Sequence, residues 1–265
     1  MSAASARTIP VSRPRAVLSD VDGCLYDALT PLDLPFYGWL RRHLADGNRP
    51  TPFGLMTGRS VELVKVLACV LGLGDHGWPG LCELGALILE GTGPRLHLHP
   101  SIVEYGALRP RRERLELMEV LTGAFGSVAF EPSRDYTLTI VSLGAAGRPG
   151  LQRAAIEDLV KAAGYPNARV LDAGATVDIA LAPVTKLDGL RFLAFEPRWA
   201  PAYGDPAQVL GIGDSENDLD VLGAVGFRGA PANAAPAVKA IADYVSPHPG
   251  TAGVRDILRH FLDWE

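Results

Sequence analysis

Two short apolar runs near opposite ends of the chain each lead into an aspartate. Ala16-Val17-Leu18-Ser19 precedes Asp20, and Gln208-Val209-Leu210-Gly211-Ile212 precedes Asp214 by one glycine. Such runs predict strands buried on both faces, the kind found in parallel sheets covered by helices. The flanking sequence alternates in the same sense. Phe36–Leu44 has helical spacing. Phe53-Gly54-Leu55-Met56 is a further short strand ending at Thr57, and Ser60 is placed to cap a helix through Val61, Val64, Leu67 and Ala68. Lys186–Ala194, Glu216–Leu222, Pro236–Ala242 and Gly253–Phe261 are predicted helices late in the chain. Strands alternating with helices predict an α/β fold, a doubly wound parallel sheet built from both chain ends. Ligands in such sheets sit beyond the carboxyl ends of the strands.

The middle of the chain has a different texture. Leu87-Ile88-Leu89 and Leu96-His97-Leu98 flank Gly-Thr-Gly-Pro, a hairpin signal. From about residue 100 the order is helix (Pro110–Leu121), strands (Val128–Phe130 and Tyr136–Val141), helix (Gly150–Ala163), strands (Arg169–Leu171 and Val177–Leu181). Leu151, Ala155, Leu159 and Ala162 form the apolar face expected for the second helix. Helix-strand-strand repeated once is an antiparallel α+β pattern. The expected division is a frayed tail at 1–14, a core at 15–99 and 184–265, and an inserted α+β domain at 100–183.

Composition narrows the class. Of 265 residues, 48% are hydrophobic and 21% charged, enough apolar material for a sizeable core. The formal net charge of -5, with no long basic run, argues against broad attraction to nucleic acid or anionic membrane. The longest near-apolar run, Leu63–Leu73, contains Lys65 and is too short to span a bilayer. Cys24, Cys69 and Cys82 are odd in number and form no Cys-x-x-Cys pair, which fits a reducing, cytoplasmic setting.

Four segments at predicted strand ends or helix starts carry chemistry. They are Asp20-Val21-Asp22-Gly23, Thr57-Gly58-Arg59-Ser60, Lys186 in Thr185-Lys186-Leu187-Asp188, and Gly213-Asp214-Ser215-Glu216-Asn217-Asp218. A phosphate monoester is a dianion, so its attack by a nucleophile needs charge neutralised beforehand. Magnesium takes oxygen ligands, and Asp20 and Asp214 can supply two. A carboxylate nucleophile can form an acyl phosphate and so split one hard step into two. A single carboxyl can protonate the leaving group and later deprotonate water, and Asp22 has the spacing for it. Thr57 and Lys186 can donate to phosphoryl oxygens. Gly211 and Gly213 do not make a dinucleotide loop, because the third glycine is missing and Asp214 stands where an anion would lie.

These four segments, in this order, resemble the haloacid dehalogenase superfamily of phosphohydrolases, over essentially the whole chain from Arg15. The resemblance implies a Rossmann-like core with an inserted cap and Mg2+ as cofactor. It also implies Asp20 as nucleophile and Asp22 as acid/base. Thr57, Gly58 and Lys186 correspond to phosphate contacts. Asp20, the Asp22 carbonyl and Asp214 correspond to metal ligands, with Asp218, Asn217 and Arg59 in support. Cys24 stands where threonine is commonest. The two helix-strand-strand units resemble subclass IIB caps, and Glu83-Leu84-Gly85-Ala86 resembles a Glu-Asn-Gly-Ala motif before the cap, with leucine in place of asparagine. Asn233, in Ala232-Asn233-Ala234, resembles a common feature of a late loop near the site.

The resulting expectation is hydrolysis of a small phosphorylated metabolite, a sugar phosphate or a phosphorylated organic acid, by a monomer or homodimer. A phosphosugar mutase on the same scaffold and a catalytically silent binding protein are the alternatives. Arg134, in the segment Glu131–Tyr136, and Asp178, at the end of a loop from Asp172, are expected to face the leaving group. Other features have plainer readings. His97 and His99 alternate on one strand face with no third ligand. Arg109, Arg111, Arg112 and Arg114 form a solvated helix start, with Arg112 and Glu116 paired one turn apart.

Overall fold

A computed structural model of the chain describes residues 13–27, 30–45, 50–126, 128–142, 152–172 and 176–265. Most of the expected N-terminal tail, Leu151 at the start of the second α+β helix, and residues 173–175 of the expected recognition loop lie outside that set. In chain order the structure opens with β1 (Ala16–Asp20), α1 (Leu34–Leu44), β2 (Phe53–Met56) and α2 (Val61–Leu71). Next come β3 (Pro79–Cys82), β4 (Leu87–Glu90), β5 (Leu96–Leu98) and α3 (Pro100–Tyr105). The α+β segment holds α4 (Arg109–Phe125), β6 (Val128–Phe130), β7 (Thr137–Ser142), α5 (Arg153–Ala162), β8 (Arg169–Asp172) and β9 (Thr176–Ala180). The chain then runs through α6 (Lys186–Phe195), α7 (Ala200–Tyr203), β10 (Val209–Ile212), α8 (Leu219–Ala224) and β11 (Phe227–Ala230). It closes with α9 (Pro236–Ile241), β12 (Tyr244–Val245) and α10 (Gly250–Leu262).

Two compact units emerge, one from Met1–Gly54 with Leu193–Glu265, the other from Leu55–Phe192. In the first, β12, β11, β10 and β1 lie side by side and all pair in parallel. Every residue of β1 and β10 is buried, as expected of central parallel strands covered on both faces. Helix α10 covers the sheet with Val254, Ile257, Leu258, Phe261 and Leu262, the spacing of one helical face. It lies close to β11 because Gly229 carries no side chain. A Cβ there would sit 2.4 Å from Ile257 Cγ2. The Tyr203 hydroxyl donates to Val17 O at 3.1 Å, satisfying a backbone carbonyl of the buried β1. Helix α1 begins where Asp33 accepts the Phe36 N–H at 2.9 Å.

In the second unit β2 and β3 are parallel, and β3, β4 and β5 form an antiparallel meander containing the expected hairpin. A separate four-stranded antiparallel sheet has the order β6-β7-β9-β8. Leu117, Leu121, Leu138, Ile140, Ile156, Val160, Val170, Val177 and Ile179 make its core with α4 and α5. The helix-strand-strand order is as the periodicity predicted. The buried face of α5 differs: Ile156 and Val160 are inside, while Ala155 is exposed. The two β-branched residues remove more apolar surface from water than alanine does, and they set the rotation of the helix.

Three strands escaped the sequence reading, β3, β11 and β12. Each is short, and the first two contain glycine, which weakens a strand signal. His97 and His99 are not strand partners. β5 stops at Leu98, and His99 instead caps α3, its Nδ1 accepting the Ser101 N–H at 3.2 Å. Arg112 does pair with Glu116, at 2.8 Å, and Arg109 with Glu113, at 2.7 Å. Among the described residues no helix is long and apolar enough to cross a membrane.

Candidate active site

Asp20 is the last residue of β1 and is buried, 3% exposed. The chain turns directly after it. Leu25 N–H bonds to Val21 O and Gly23 N–H to Tyr26 O, both at 2.8 Å, and half-buried Asp22 bridges to Tyr26. Gly23 takes φ +71, a conformation open to glycine, and a Cβ there would lie 2.0 Å from Asp214 Oδ2. The missing side chain therefore makes room for the Asp214 carboxylate. Asn233 Nδ2 donates to that same oxygen at 3.1 Å and to Gly23 O at 2.9 Å, while its own Oδ1 accepts the Gly250 N–H at 2.8 Å.

Asp214 follows β10 and is positioned by its neighbour. Asp218, fully buried, accepts the N–H groups of Asp214 and Ser215 at 3.0 Å each, and the Ser215 hydroxyl at 3.2 Å, all on Oδ2. Asn217 lies half-buried in the same short turn. Asp20, Cys24 and Asp214 consequently offer ligand atoms that all lie within 4.8 Å of one another. The two carboxylates are hard oxygen donors suited to Mg2+, whereas the Cys24 thiol is not a magnesium ligand. Together with the space kept by Gly23, this donor set fits a small divalent cation.

The second group of predicted residues lies after β2. Thr57 is fully buried; its N–H bonds to Leu81 O and its C=O accepts the Leu84 N–H, both at 2.9 Å. The Thr57 hydroxyl oxygen accepts the Arg59 N–H at 3.1 Å. Ser60 occupies the N-cap position of α2, but its hydroxyl makes no capping bond. Arg59 donates to Glu131 Oε1 at 2.7 Å. Arg134, with 2% of its side chain exposed, donates to Gly58 O at 2.7 Å, pairs with Glu131, and stands 3.5 Å from Asp178 Oδ1. Asp178 sits within β9, opposite Thr139, whose hydroxyl it accepts. Burial pushes the Asp178 carboxyl above its ordinary range, against the opposing pull of Arg134 and Thr139. Arg134 and Asp178 thus occur together, in one buried cluster with the Gly58–Arg59 turn.

In the sequence Glu83 stands out only as part of a motif. Glu83 and Leu84 both lie in the left-handed region, at φ 47 and φ 62. The buried Glu83 carboxylate accepts the N–H groups of Asp135, Tyr136 and Thr137 at 2.7–3.0 Å, and the Thr137 hydroxyl at 3.2 Å. Burial raises its pKa, and those backbone bonds partly offset the effect. The available signal was a carboxylate in an otherwise apolar stretch from Gly80 to Leu89, since a buried charge requires partners. Lys186, the first residue of α6, is 4% exposed. Beside it Asp188 Oδ2 accepts the Thr185 N–H and hydroxyl at 3.0 and 2.8 Å. Burial acts to raise the Asp188 carboxyl, but the hydrogen bonds from Thr185 and Arg191 prevail and hold it below its usual value.

Residues 155–258 match the family of haloacid dehalogenase-like hydrolases. A phosphoglycolate phosphatase of Archaeoglobus fulgidus is 26% identical over 251 residues, covering 93% of this chain and 96% of that one. These matches support a phosphatase of the haloacid dehalogenase-like kind. A phosphoglycolate phosphatase of Methanothermobacter thermautotrophicus shares 48% identity with this chain over 56 residues, 21% of this chain and 25% of the other. A solved structure of a Thermoplasma acidophilum protein superposes with a TM-score of 0.71 at 18% identity, over 95% of this chain and 99% of that one. The similarity in fold fits an α/β core joined to an α+β cap.

Proposed function

We propose that the chain hydrolyses a small phosphorylated metabolite with Mg2+, through a phosphoryl group carried on Asp20. The observation that carries this reading is the convergence of Asp20 and Asp214, from two different strand ends, with ligand atoms within 4.8 Å. The relatives named phosphoglycolate phosphatase favour a phosphorylated organic acid, with sugar phosphates as the next class. Residues 100–183 act as the cap, and Cys24, Cys69 and Cys82, which form no disulfide with one another, support a cytoplasmic setting.

In this reading Asp20, Asp214 and the Asp22 carbonyl hold Mg2+, which when bound lowers the negative charge met by the incoming carboxylate. The Asp20 carboxylate attacks phosphorus, and the bond to the leaving oxygen breaks. Asp22 gives that oxygen its proton. Asp22 then takes a proton from water as the water attacks phosphorus, which releases inorganic phosphate and restores the Asp20 carboxylate. Thr57, Gly58 and Lys186 hold the phosphoryl oxygens. Asp218 and Asn233 keep Asp214 in position, and Arg59 and Asn217 support the two loops.

The test is release of inorganic phosphate across a panel of phosphorylated acids and sugars, with magnesium and with excess chelator. Magnesium-dependent release, highest on phosphorylated acids, is the expected result. Full activity in chelator would overturn the metal assignment. Turnover of no phosphate ester would overturn the whole reading.

A further inference from the structure

Arg134 does not have the surroundings of a residue waiting for substrate. Its side chain is 2% exposed, and its guanidinium is engaged by Glu131, by Asp178 and by Gly58 O. The bond to Gly58 bears directly on Thr57. The carbonyl of Gly58 and the N–H of Arg59 belong to one planar trans peptide unit and point in opposite directions. Arg134 Nη1 holds the carbonyl end at 2.7 Å, and Thr57 Oγ1 holds the N–H end at 3.1 Å. A single rigid plane therefore connects a guanidinium on the cap hairpin to the hydroxyl assigned to phosphate.

The geometry points to Arg134 as a positioning residue that orients the Thr57 hydroxyl through the Gly58–Arg59 peptide. With its oxygen accepting the Arg59 N–H, Thr57 directs its own proton away from that bond, toward an acceptor. A cation on the carbonyl polarises the peptide and strengthens the N–H as a donor, and that in turn strengthens the hydroxyl as a donor. Glu131 and Asp178 fix the guanidinium, and Glu131 also pairs with Arg59 at 2.7 Å, so both sides of the peptide share one carboxylate. This inference rests on the proposed role of Thr57 in holding phosphate. It assigns Arg134 to the phosphate half of any substrate and not to the leaving group.

The experiment is a double-mutant cycle of Arg134→Gln and Thr57→Val. It is read as the affinity for inorganic phosphate by calorimetry, and as kcat and KM on phosphoglycolate and on an aryl phosphate. Arg134→Gln should weaken phosphate binding and lower kcat/KM on both esters by the same factor, roughly tenfold to a hundredfold. In the Thr57→Val background the same change should cost less than about twofold, because the group it acts through is gone. Arg134→Lys, which keeps the charge and a donor, should recover part of the loss and repeats the cycle if the glutamine variant does not fold. Additive losses would overturn the inference, as would a loss confined to phosphoglycolate. The binding cycle needs no turnover. An inactive wild-type chain would therefore count against the proposed function while the phosphate-binding cycle still decided this point, and an active chain with an additive cycle would count against this point alone.

Discussion

Asp218 accepts the backbone N–H of Asp214 at 3.0 Å, on the same oxygen that takes the N–H and hydroxyl of Ser215. The carboxylate at position 218 thus sets the backbone from which the carboxylate at 214, proposed as a metal ligand, projects. Asp218→Ala would leave two part-buried backbone donors without this acceptor, at a cost of about 1 kcal/mol each. The expected outcome is a lower thermal midpoint together with a magnesium requirement raised by roughly ten- to a hundredfold. Magnesium titrations of activity, run beside thermal unfolding, measure both. An unchanged magnesium requirement would show that the loop holds its shape by other means.

Asp20→Asn should keep the fold and lose turnover by roughly a thousandfold or more, since the amide matches the carboxylate in shape but not in nucleophilicity. Phosphate release and circular dichroism check the two halves of this statement. Activity near that of the wild type would exclude the covalent route.

Gly23→Ala should be far more damaging than a glycine-to-alanine change in an ordinary turn. It combines φ +71 with a Cβ placed 2.0 Å from Asp214 Oδ2. Asn233→Ala leaves the space intact and removes only the amide at 3.1 Å from the same oxygen. The ordering expected in magnesium titrations is therefore wild type, then Asn233→Ala weakened by about tenfold, then Gly23→Ala weakest. Equal effects of the two substitutions would contradict the argument from space.

Glu83 supplies a pH dependence. Burial raises its carboxyl above the ordinary value of 4.5, so the folded chain holds this proton more tightly than the unfolded chain. Its linkage contribution is fully present below the unfolded pKa, and it is lost as pH rises through the folded one. The difference in urea midpoint between wild type and Glu83→Gln should therefore change as pH rises from below the ordinary carboxylate value of 4.5 to above it, with the wild type losing relative stability as pH rises. The glutamine variant should be less stable at every pH, because its NH2 would meet N–H groups that need an acceptor. A pH-independent difference would mean that Glu83 titrates alike in both states.

Much of this arrangement was legible in the sequence. The strands before Asp20 and Asp214 announced themselves because both faces are buried, so every residue had to be apolar or small. Asp214 and Asp218 could be placed on one turn from spacing alone. Pro79–Cys82 and Phe227–Ala230 were less visible, because glycine at a close helix contact looks in sequence like a loop residue. The partners of Arg134 and Glu83 were not legible either. Arg134 meets Gly58 from 76 positions away, and Glu83 meets Asp135 across 52. No local periodicity records such pairings, and a surface arginine and a buried one look the same as letters.

The carboxylate of Glu83, seated on three successive backbone N–H groups, bears on how caps of this kind could be exchanged between enzymes. Those donors belong to the main chain of Asp135, Tyr136 and Thr137, so a foreign hairpin of any sequence could present them if it kept the same path. The acceptor is a particular side chain, and it lies outside the transplanted piece. A recipient with an apolar residue at that point would receive the new hairpin with its amides unmatched. Grafts that retain an acid at the equivalent of position 83 should therefore succeed over a wide range of cap sequences, and those that lack one should fail however well the cap itself folds.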